Sequence, residues 1–404
     1  MKKRGITVGV IVLLLLFLQS LFLPFSVKAF EPKNDAEGKV PSDTSGINVD
    51  AKSAILLEPS TGAVIYEKNS HEKFAPASVT KIMTMLLTME AVDSGKIKLS
   101  DKVTISEEAK KMGGSSMLLD TGEVRTVEEL LKGIAIASGN DAAVAMSEYL
   151  GGSQANFVNM MNKRAQELGM KDTSFKNCTG LNADGHMTTA YDISIMSREL
   201  LKHPKILKYT GTYMETISEG RKSPIGLVNH NKLVRFFKGC DGLKTGFTDE
   251  AKYCISATAV KDNVRMLAII MGAPTYKVRN KDASMLMNYG FSKFSAKKVV
   301  EKDSIVKKVP LNKKGDKFFL IKAADDLSIV VPRGDKCNIT NRCLYKIDKK
   351  DKELKKGSYI GYAEYYVNGK YAGKVKVYCD RDVKLGGFFQ NFKNDLKSIF
   401  DNSI

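Results

Sequence analysis

Ser78 and Lys81 are the residues with which this chain could do chemistry, since they stand three positions apart where a helical segment begins. Residues at that spacing share one face of a helix, with Cβ atoms about 5–6 Å apart. An amine held so close can take the proton of the serine hydroxyl, provided that burial and nearby charge lower the pKa of the amine. Residues 82–89 are almost wholly apolar, which predicts a buried helix with Ser78 and Lys81 at its exposed end. By itself the spacing is more typical of a capping serine beside a solvated lysine.

Residues 138–140, Ser-Gly-Asn, separate two further helical segments and present two short polar side chains at a tight turn. The first of these segments begins with a capping box at residues 126–129. Within one site, Ser138 can relay a proton to a leaving amine, and Asn140 can orient Lys81 and a substrate amide. By itself, the turn needs no function beyond connecting two helices.

Residues 244–246, Lys-Thr-Gly, supply a different kind of group on a strand predicted at the edge of a sheet. Gly246 has no Cβ, so an extended substrate can lie against the strand. The side chains of Lys244 and Thr245 offer a charge and a hydroxyl to a substrate carboxylate. The backbone N–H groups of Ser78 and Phe247 would hold the oxyanion, and each such donor stabilises a transition state by about 3–4 kcal/mol.

The three clusters, Ser-x-x-Lys, Ser-x-Asn and Lys-Thr-Gly in that order, form the signature of penicillin-binding proteins and serine β-lactamases. Residues 74–84, 180–192 and 241–246 narrow the match, because they resemble the low-molecular-mass penicillin-binding proteins of the serine-type D-alanyl-D-alanine carboxypeptidase family. The resemblance extends over essentially the whole chain. It implies an α+β fold, in which a penicillin-binding/β-lactamase-like catalytic domain with an antiparallel sheet flanked by helices precedes a small C-terminal β-sandwich and an amphipathic helix.

The resemblance implies a hydrolase of peptidoglycan synthesis, and so of cell wall biogenesis and cell shape. Such an enzyme removes the terminal D-alanine from pentapeptide stems through an acyl-enzyme on Ser78, and β-lactam antibiotics should acylate the same serine. Lys244 would hold the terminal carboxylate of the stem peptide. Arg279 resembles an arginine that assists there, although a surface arginine explains it equally well. His186 and Asp192 fall in the loop that borders the site in this family, and the sequence assigns neither a role.

Other activities compete with this one. A D,D-endopeptidase or a transpeptidase of the same superfamily would carry the same motifs, because loop shape rather than motif residues selects the second substrate. A class A serine β-lactamase would need a Glu-x-x-Leu-Asn segment between Ser138 and Lys244, and the sequence contains none. A non-catalytic wall-binding module is disfavoured, because Ser78, Lys81 and Ser138 are all retained.

The N-terminus predicts export. The basic residues 2–4 and the apolar run 10–18 are typical of a signal peptide, and residues 27–29, Val-Lys-Ala, offer a cleavage site that would remove residues 1–29. An uncleaved N-terminal anchor is the alternative, because the apolar region is nearly long enough to span a bilayer. In either case the folded protein, after a flexible polar lead-in of residues 30–50, lies outside the cytoplasm.

Three further parts are predicted along the chain. Residues 51–294 form the catalytic serine peptidase domain, and residues 295–380 form a small all-β domain in which Asn368-Gly369 indicates a hairpin turn. Residues 381–404 form an amphipathic helix that gathers four phenylalanines on one face: Phe388, Phe389, Phe392 and Phe400. Such a helix is typical of a membrane interface, which would hold the protein on the outer face of the cytoplasmic membrane. Packing on the β domain or on a second copy is the alternative.

Composition narrows the partners further. The formal net charge of +18 favours anionic partners, whereas no zinc-finger, RRM-like or aromatic–basic pattern points to nucleic acid. Six cysteines are few for a chain of this size, and the four histidines are scattered rather than paired for a metal. The sequence therefore predicts no metal and no cofactor, with the peptidoglycan stem peptide, β-lactams and a membrane surface as partners.

Overall fold

The computed structural model describes residues 47–217, 223–311, 317–334, 336–345 and 353–384. The predicted signal peptide, most of the predicted lead-in and the predicted amphipathic helix from residue 385 onwards lie outside these residues. Two predicted boundaries shift. Val49 is 1% exposed and packs in the core, so the folded part begins before residue 51. Val383–Lys384 is a strand, so the predicted helix does not begin at residue 381.

The helices of the described ranges all lie before residue 294. A short 3-10 turn, Ala77–Thr80, precedes the first helix, and a second, Pro204–Ile206, precedes the seventh. The α-helices are α1 (Lys81–Asp93), α2 (Glu107–Lys110), α3 (Val127–Ala135), α4 (Asn140–Gly151), α5 (Gln154–Glu167), α6 (Ala190–Leu201), α7 (Leu207–Thr210), α8 (Leu233–Phe236) and α9 (Tyr276–Lys293). Along the parts of the chain that the structure describes, none of them has the length and apolarity that a membrane crossing needs.

The strands of the described ranges fall into two groups, one before α9 and one after it. The first group comprises β1 (Ser53–Glu58), β2 (Ala63–Lys68), β3 (Lys102–Thr104), β4 (Val124–Thr126), β5 (Met214–Ile217), β6 (Ile225–Val228), β7 (Cys240–Thr248), β8 (Lys252–Lys261) and β9 (Val264–Ala273). The second group comprises β10 (Phe294–Val300), β11 (Ile305–Pro310), β12 (Phe318–Ala323), β13 (Leu327–Pro332), β14 (Ile339–Tyr345), β15 (Glu353–Leu354), β16 (Tyr359–Val367), β17 (Lys370–Cys379) and β18 (Val383–Lys384).

The central sheet is antiparallel, and its strand order β2-β1-β9-β8-β7 leaves β7 at one edge. β1, β8 and β9 are buried over most of their length, which explains their long apolar runs. Ile269 and Met271 of β9 pack in the core with α1, whereas Ala268 and Ile270 pack in the core with α9. Two apolar runs, residues 53–57 and 63–66, flank the turn residues 59–62 and predict a β-hairpin, which is confirmed as β1 and β2.

α1 runs through the centre of the helical core, and every residue from Lys81 to Met89 is buried. The predicted core helix is confirmed, but the predicted exposure of its first turn is wrong. Lys81 is 0% exposed, because the loop of residues 177–181 packs over its amine.

Side-chain caps fix the starts of α3 and α9. Thr126 and Glu129 form the predicted capping box at the start of α3. The sequence of residues 283–289 predicts a closing helix, but Thr275 caps α9 and the helix already begins at Tyr276. The earlier start places Arg279 on the first turns of the helix, against the sheet.

The region after α9 is β-rich, as the sequence predicts. Its largest sheet has the order β11-β12-β17-β16-β14, and buried side chains such as Phe319, Ile360 and Val377 form its core. Asn368 and Gly369 have φ values of 50° and 79° and connect β16 to β17, which confirms the predicted hairpin turn.

Candidate active site

Lys81 lies at the centre of the candidate site, with its amine buried at the first turn of α1. Its Nζ lies 3.0 Å from Ser78 Oγ, 2.6 Å from Asn140 Oδ1 and 2.7 Å from the backbone oxygen of Thr179. An ammonium group can donate to all three acceptors. A neutral amine can donate to Asn140 and Thr179 and keep its lone pair for the hydroxyl proton of Ser78. The neutral form is therefore placed to act as a base towards Ser78.

Burial controls the protonation of Lys81. Removal from water lowers the pKa of the amine from 10.5 to about 7, while Cys178 and Asp141 oppose this shift by favouring the charged form. A substantial fraction of the amine is thus neutral near pH 7, which suits a general base.

Two glycines allow the backbone around Ser78 to be enclosed tightly. The turn Ala77–Thr80 holds Ser78 half-buried between β7 and the loop of residues 177–181. A Cβ on Gly180, whose φ is +89°, would lie 1.8 Å from the carbonyl oxygen of Ala77. A Cβ on Gly246 would lie 3.0 Å from the backbone nitrogen of Ser78. Gly246 therefore makes room for the serine turn as well as for a substrate.

The carbonyl of Thr179 reaches Lys81 because Asn177 shapes the loop. Asn177 Oδ1 accepts hydrogen bonds from the backbone N–H groups of Thr179 at 3.1 Å and Gly180 at 2.7 Å, which is an Asx-turn. Sequence reasoning missed Thr179, since its contact with Lys81 comes from a backbone oxygen that any residue type supplies.

His186 and Asp192, to which the sequence assigns no role, brace the same region. His186 Nδ1 accepts from the backbone N–H of Lys176 at 3.0 Å, so its ring proton lies on Nε2 and is donated to Thr80 Oγ1 at 2.8 Å. Burial lowers the pKa of His186 to about 4, which keeps the ring neutral. Asp192 accepts from the backbone N–H of Asp172 at 2.9 Å. Both side chains hold backbone segments in place.

Asn140 brings the Ser-Gly-Asn turn to Lys81, as the sequence predicts. Asn140 Nδ2 donates to the backbone oxygen of Gly113 at 2.6 Å, and this contact points Oδ1 of the same amide at Lys81. Ser138 stands two residues earlier, is 1% exposed and has a φ of 60°, a left-handed conformation that side chains other than glycine rarely adopt. Strained backbone of this kind is concentrated at functional sites.

Three basic side chains, those of Lys81, Lys244 and Arg279, interact electrostatically at edge strand β7. Lys244 is buried, and its Nζ donates to the carbonyl of Thr245 at 2.9 Å. Burial, together with the charges of Lys81 and Arg279, holds the pKa of Lys244 well below its usual value. Burial lowers the pKa of Arg279 to about 10. A carboxylate would relieve the repulsion among these groups, so the cluster forms a site for an anion.

Two aromatic residues that the sequence analysis leaves without a role border this anion site. The guanidinium of Arg279 lies over the ring of Tyr253, 6.0 Å from its centroid. The ring of Phe247 packs against the same tyrosine, with a centroid distance of 4.4 Å. Tyr276, at the start of α9, contacts Tyr253 from a centroid distance of 6.4 Å. Phe247 itself is 49% exposed. The predicted Lys-Thr-Gly-Phe segment thus ends in an exposed aromatic side chain.

Cys178 and Cys240, which lie close to the motifs in the sequence, are core residues. Burial raises the pKa of the Cys178 and Cys240 thiols, in the second case to about 11, so neither is a reactive thiolate at neutral pH. Within the described ranges, no three side chains of the types His, Cys, Asp and Glu lie close enough together to hold a metal ion.

Comparison with known proteins identifies the family to which this fold and the arrangement around Ser78 belong. Residues 39–275 match the family model described as D-alanyl-D-alanine carboxypeptidase, and residues 294–385 match the model described as penicillin-binding protein 5, C-terminal domain. The chain belongs to the D-alanyl-D-alanine carboxypeptidase family. The predicted family and the predicted α+β fold class are thereby confirmed.

Individual relatives cover most of the chain. D-alanyl-D-alanine carboxypeptidase DacF of Bacillus subtilis is 44% identical over 376 residues, which make up 93% of this chain and 95% of that protein. The crystal structure of penicillin-binding protein 5 from Haemophilus influenzae is 31% identical, with a TM-score of 0.63 over 84% of this chain and 98% of that one. The ampicillin-bound structure of penicillin-binding protein D2 from Listeria monocytogenes is 33% identical, with a TM-score of 0.55 over 61% of this chain and 99% of that one.

Proposed function

We propose that this chain is a serine-type D-alanyl-D-alanine carboxypeptidase, which removes the terminal D-alanine from the pentapeptide stems of peptidoglycan. The observation that carries the proposal is the contact between the buried amine of Lys81 and the hydroxyl of Ser78, 3.0 Å apart. The membership of the chain in the carboxypeptidase family supports the same conclusion.

Ser78 is the nucleophile and Lys81 is its base in this proposal. As Oγ of Ser78 forms a bond to the carbonyl carbon of the penultimate D-alanine, its proton passes to Nζ of Lys81. The C–N bond then breaks, and the leaving amine takes a proton from Lys81 through Ser138. A water molecule attacks the acyl-enzyme with Lys81 again as base, which restores the Ser78 hydroxyl. Asn140 holds the amine in line by accepting one of its hydrogens at 2.6 Å.

The substrate lies along β7. The backbone N–H groups of Ser78 and Phe247 hold the oxyanion, which the closeness of β7 to the Ser78 nitrogen supports. Lys244, Thr245 and Arg279 receive the terminal carboxylate, because the charges that act most strongly on Lys244 are the positive ones of Lys81 and Arg279. Gly246 leaves space for the backbone of the stem peptide.

The first test is intact-mass spectrometry of the protein after brief incubation with a penicillin. We expect a single covalent adduct on the parent and none on the Ser78→Ala variant, together with release of D-alanine from diacetyl-L-Lys-D-Ala-D-Ala by the parent alone. The rate of adduct formation is expected to rise with pH up to about 7 and then level off, as the pKa of Lys81 requires. An adduct on Ser78→Ala, or no adduct on the folded parent, would contradict the proposal. Slow loss of the adduct favours a carboxypeptidase, and very rapid loss favours a β-lactamase.

We also infer that the chain is exported and stays on the outer face of the cytoplasmic membrane. In this proposal, residues 1–29 direct export, the folded region up to residue 294 catalyses the reaction, the β-rich region after it extends to Lys384, and a C-terminal helix binds the membrane. The apolar run of residues 10–18 and the four phenylalanines beyond residue 385 support the inference from the sequence.

Removal of the residues after Lys384 is expected to abolish sedimentation with anionic vesicles and to leave penicillin acylation within about twofold of the parent. Lys384 is the right end point, because Val383–Lys384 pairs with Glu353–Leu354. A matched pair of full-length variants separates apolar contact from charge. Phe388→Glu with Phe392→Glu should release the protein from vesicles, whereas Asn391→Glu with Asn394→Glu, on the polar face, should not. Equal release by both pairs would argue against an amphipathic anchor.

A further inference from the structure

Asp141 follows Asn140 directly in the chain, and the mechanism above gives it no part. Its carboxylate is buried at 1% exposure in the first turn of α4. A carboxylate in such a place requires hydrogen-bond donors, because an unpaired buried charge is costly. The hydrogen-bond donors around the Asp141 carboxylate show which segment of the chain it holds in place.

Those donors come from one loop, residues 115–119. The Asp141 carboxylate accepts from Ser116 Oγ at 2.6 Å and from the backbone N–H groups of Met117 and Leu119 at 3.1 Å. A further bond from the Ala142 N–H, at 2.8 Å, fixes the carboxylate on its own helix. One side chain thus ties a solvent-facing loop to the start of α4.

The same loop holds Asn140. The Asn140 backbone N–H donates to the carbonyl of Ser115 at 2.7 Å, and Asn140 Nδ2 donates to the carbonyl of Gly113 at 2.6 Å. The approach is close, since a Cβ on Gly114 would lie 2.8 Å from Asn140 Nδ2. Because Nδ2 faces the loop, Oδ1 must face Lys81, so the loop decides which way the amide points.

We propose that Asp141 is a positioning residue of the reaction: it clamps residues 113–119 around Asn140, so that the amide oxygen of Asn140 stays on Lys81 and the amine stays in line with Ser78. The inference rests on the proposed function of Ser78 and Lys81. It adds a role for a loop that touches neither of them directly.

The charge of Asp141 has a second consequence that makes the proposal measurable. Asp141 is one of the groups that raise the pKa of Lys81, against the larger effect of burial. The other charged or titratable groups around this amine are Cys178 from the covering loop, Lys244 from β7 and His230 from the segment before α8. Loss of the negative charge therefore moves the pKa of Lys81 downwards, and the amine becomes neutral at lower pH.

The test compares pH profiles of penicillin acylation for the parent and for Asp141→Asn. The variant keeps the size of the side chain, but it removes the charge and points an amide N–H at backbone donors. We expect the rate at the high-pH plateau to fall by about 10- to 100-fold, and the acid limb to move below its parent position near pH 7. Ser116→Ala keeps the charge of Asp141 and removes two hydrogen bonds, the one donated to Asp141 at 2.6 Å and the one accepted from the Leu118 N–H at 2.8 Å. It should therefore lower the plateau a few-fold and leave the limb in place.

Asp192→Asn is the matched control. Asp192 is also buried in the first turn of a helix and also binds a backbone N–H and a hydroxyl, from Asp172 and Thr173, at 2.9 and 2.7 Å. Its loss should lower the melting temperature without moving the acid limb.

Two results overturn the proposal. One is a parent-like plateau and limb for Asp141→Asn. The other is a fall in rate with an unmoved limb and a loss of melting temperature equal to that of Asp192→Asn, which makes Asp141 a purely structural residue. If Asp141→Asn does not fold, an unchanged plateau in Ser116→Ala overturns the clamp. Failure of the proposed function itself is distinguishable, because the parent would then form no adduct on Ser78.

Discussion

Replacement of Lys81 by methionine is expected to slow the acylation of Ser78 by penicillin by about 10³-fold, within the range that general base catalysis supplies. Methionine fills a similar unbranched space but has no lone pair that can take the hydroxyl proton. The pH limb near 7 should vanish with the amine, because no other group in the site is placed to accept that proton in the proposed mechanism. The measurement is the second-order rate of adduct formation, followed by intact mass from pH 5.5 to 8.5.

Lys81→Arg separates proton transfer from charge. Arginine keeps a positive group beside Asn140 and Thr179, but its guanidinium does not lose a proton in the working range. We expect the arginine variant to be as slow as the methionine variant. Near-parental acylation by Lys81→Arg would show that the site needs a cation rather than a base, and it would contradict the proposed role.

A measurement of stability tests whether the slow acylation of Lys81→Met is caused by unfolding. Lys81 has a pKa of about 7 in the folded protein and 10.5 when unfolded, so the unfolded chain binds more protons between these values. The contribution of Lys81 to the free energy of unfolding therefore rises with pH from about 7 to 10.5, and is lowest below pH 7. Methionine does not titrate. Lys81→Met should consequently melt at or above the parental temperature at pH 7, while it is inactive.

Some parts of the fold and of the candidate site could be predicted from the sequence, and others could not. The helix α1, the hairpin of β1 and β2, and the order of β7, β8 and β9 follow from local apolar runs and turn residues, which act over a few positions. The family motifs predicted Ser78, Lys81 and Asn140 as site residues, and the structure brings these three side chains together. In each case the signal lies within the segment that it describes.

The burial of Lys81 could not be predicted in this way. It depends on the loop of residues 177–181, which is distant in sequence and contributes a carbonyl from Thr179. The loop takes that position because of Asn177 and Gly180, two residue types that are typical of any turn. Likewise, the polar composition of residues 276–282 concealed the start of α9, which the cap on Thr275 establishes.

Gly180→Ala tests whether that loop controls the nucleophile, and we expect it to reduce acylation of Ser78 by at least about 100-fold. A left-handed φ of +89° already costs alanine roughly 1–2 kcal/mol. The larger effect is steric, because the new Cβ would lie 1.8 Å from the carbonyl oxygen of Ala77 and 2.8 Å from the nitrogen of Ser78. These are backbone atoms of the turn that carries the nucleophile, so relief of the clash must displace Ser78 by about 1 Å, a shift that can cost 10² in rate.

Gly185→Ala is the control that isolates this effect, since it lies in the same stretch of chain and has a similar left-handed φ of +72°. Its Cβ would approach only the flexible end of Lys176, at 3.3 Å from Cε. The two variants therefore share the backbone strain, and they differ in whether a backbone atom of the serine turn must move. We expect both to lose some melting temperature and only Gly180→Ala to lose acylation. Equal acylation rates in the two variants would contradict the prediction. They would mean that the turn Ala77–Thr80 tolerates displacement of residues 177–181, and that α1 and Asn140 alone keep the Lys81 amine beside the Ser78 hydroxyl.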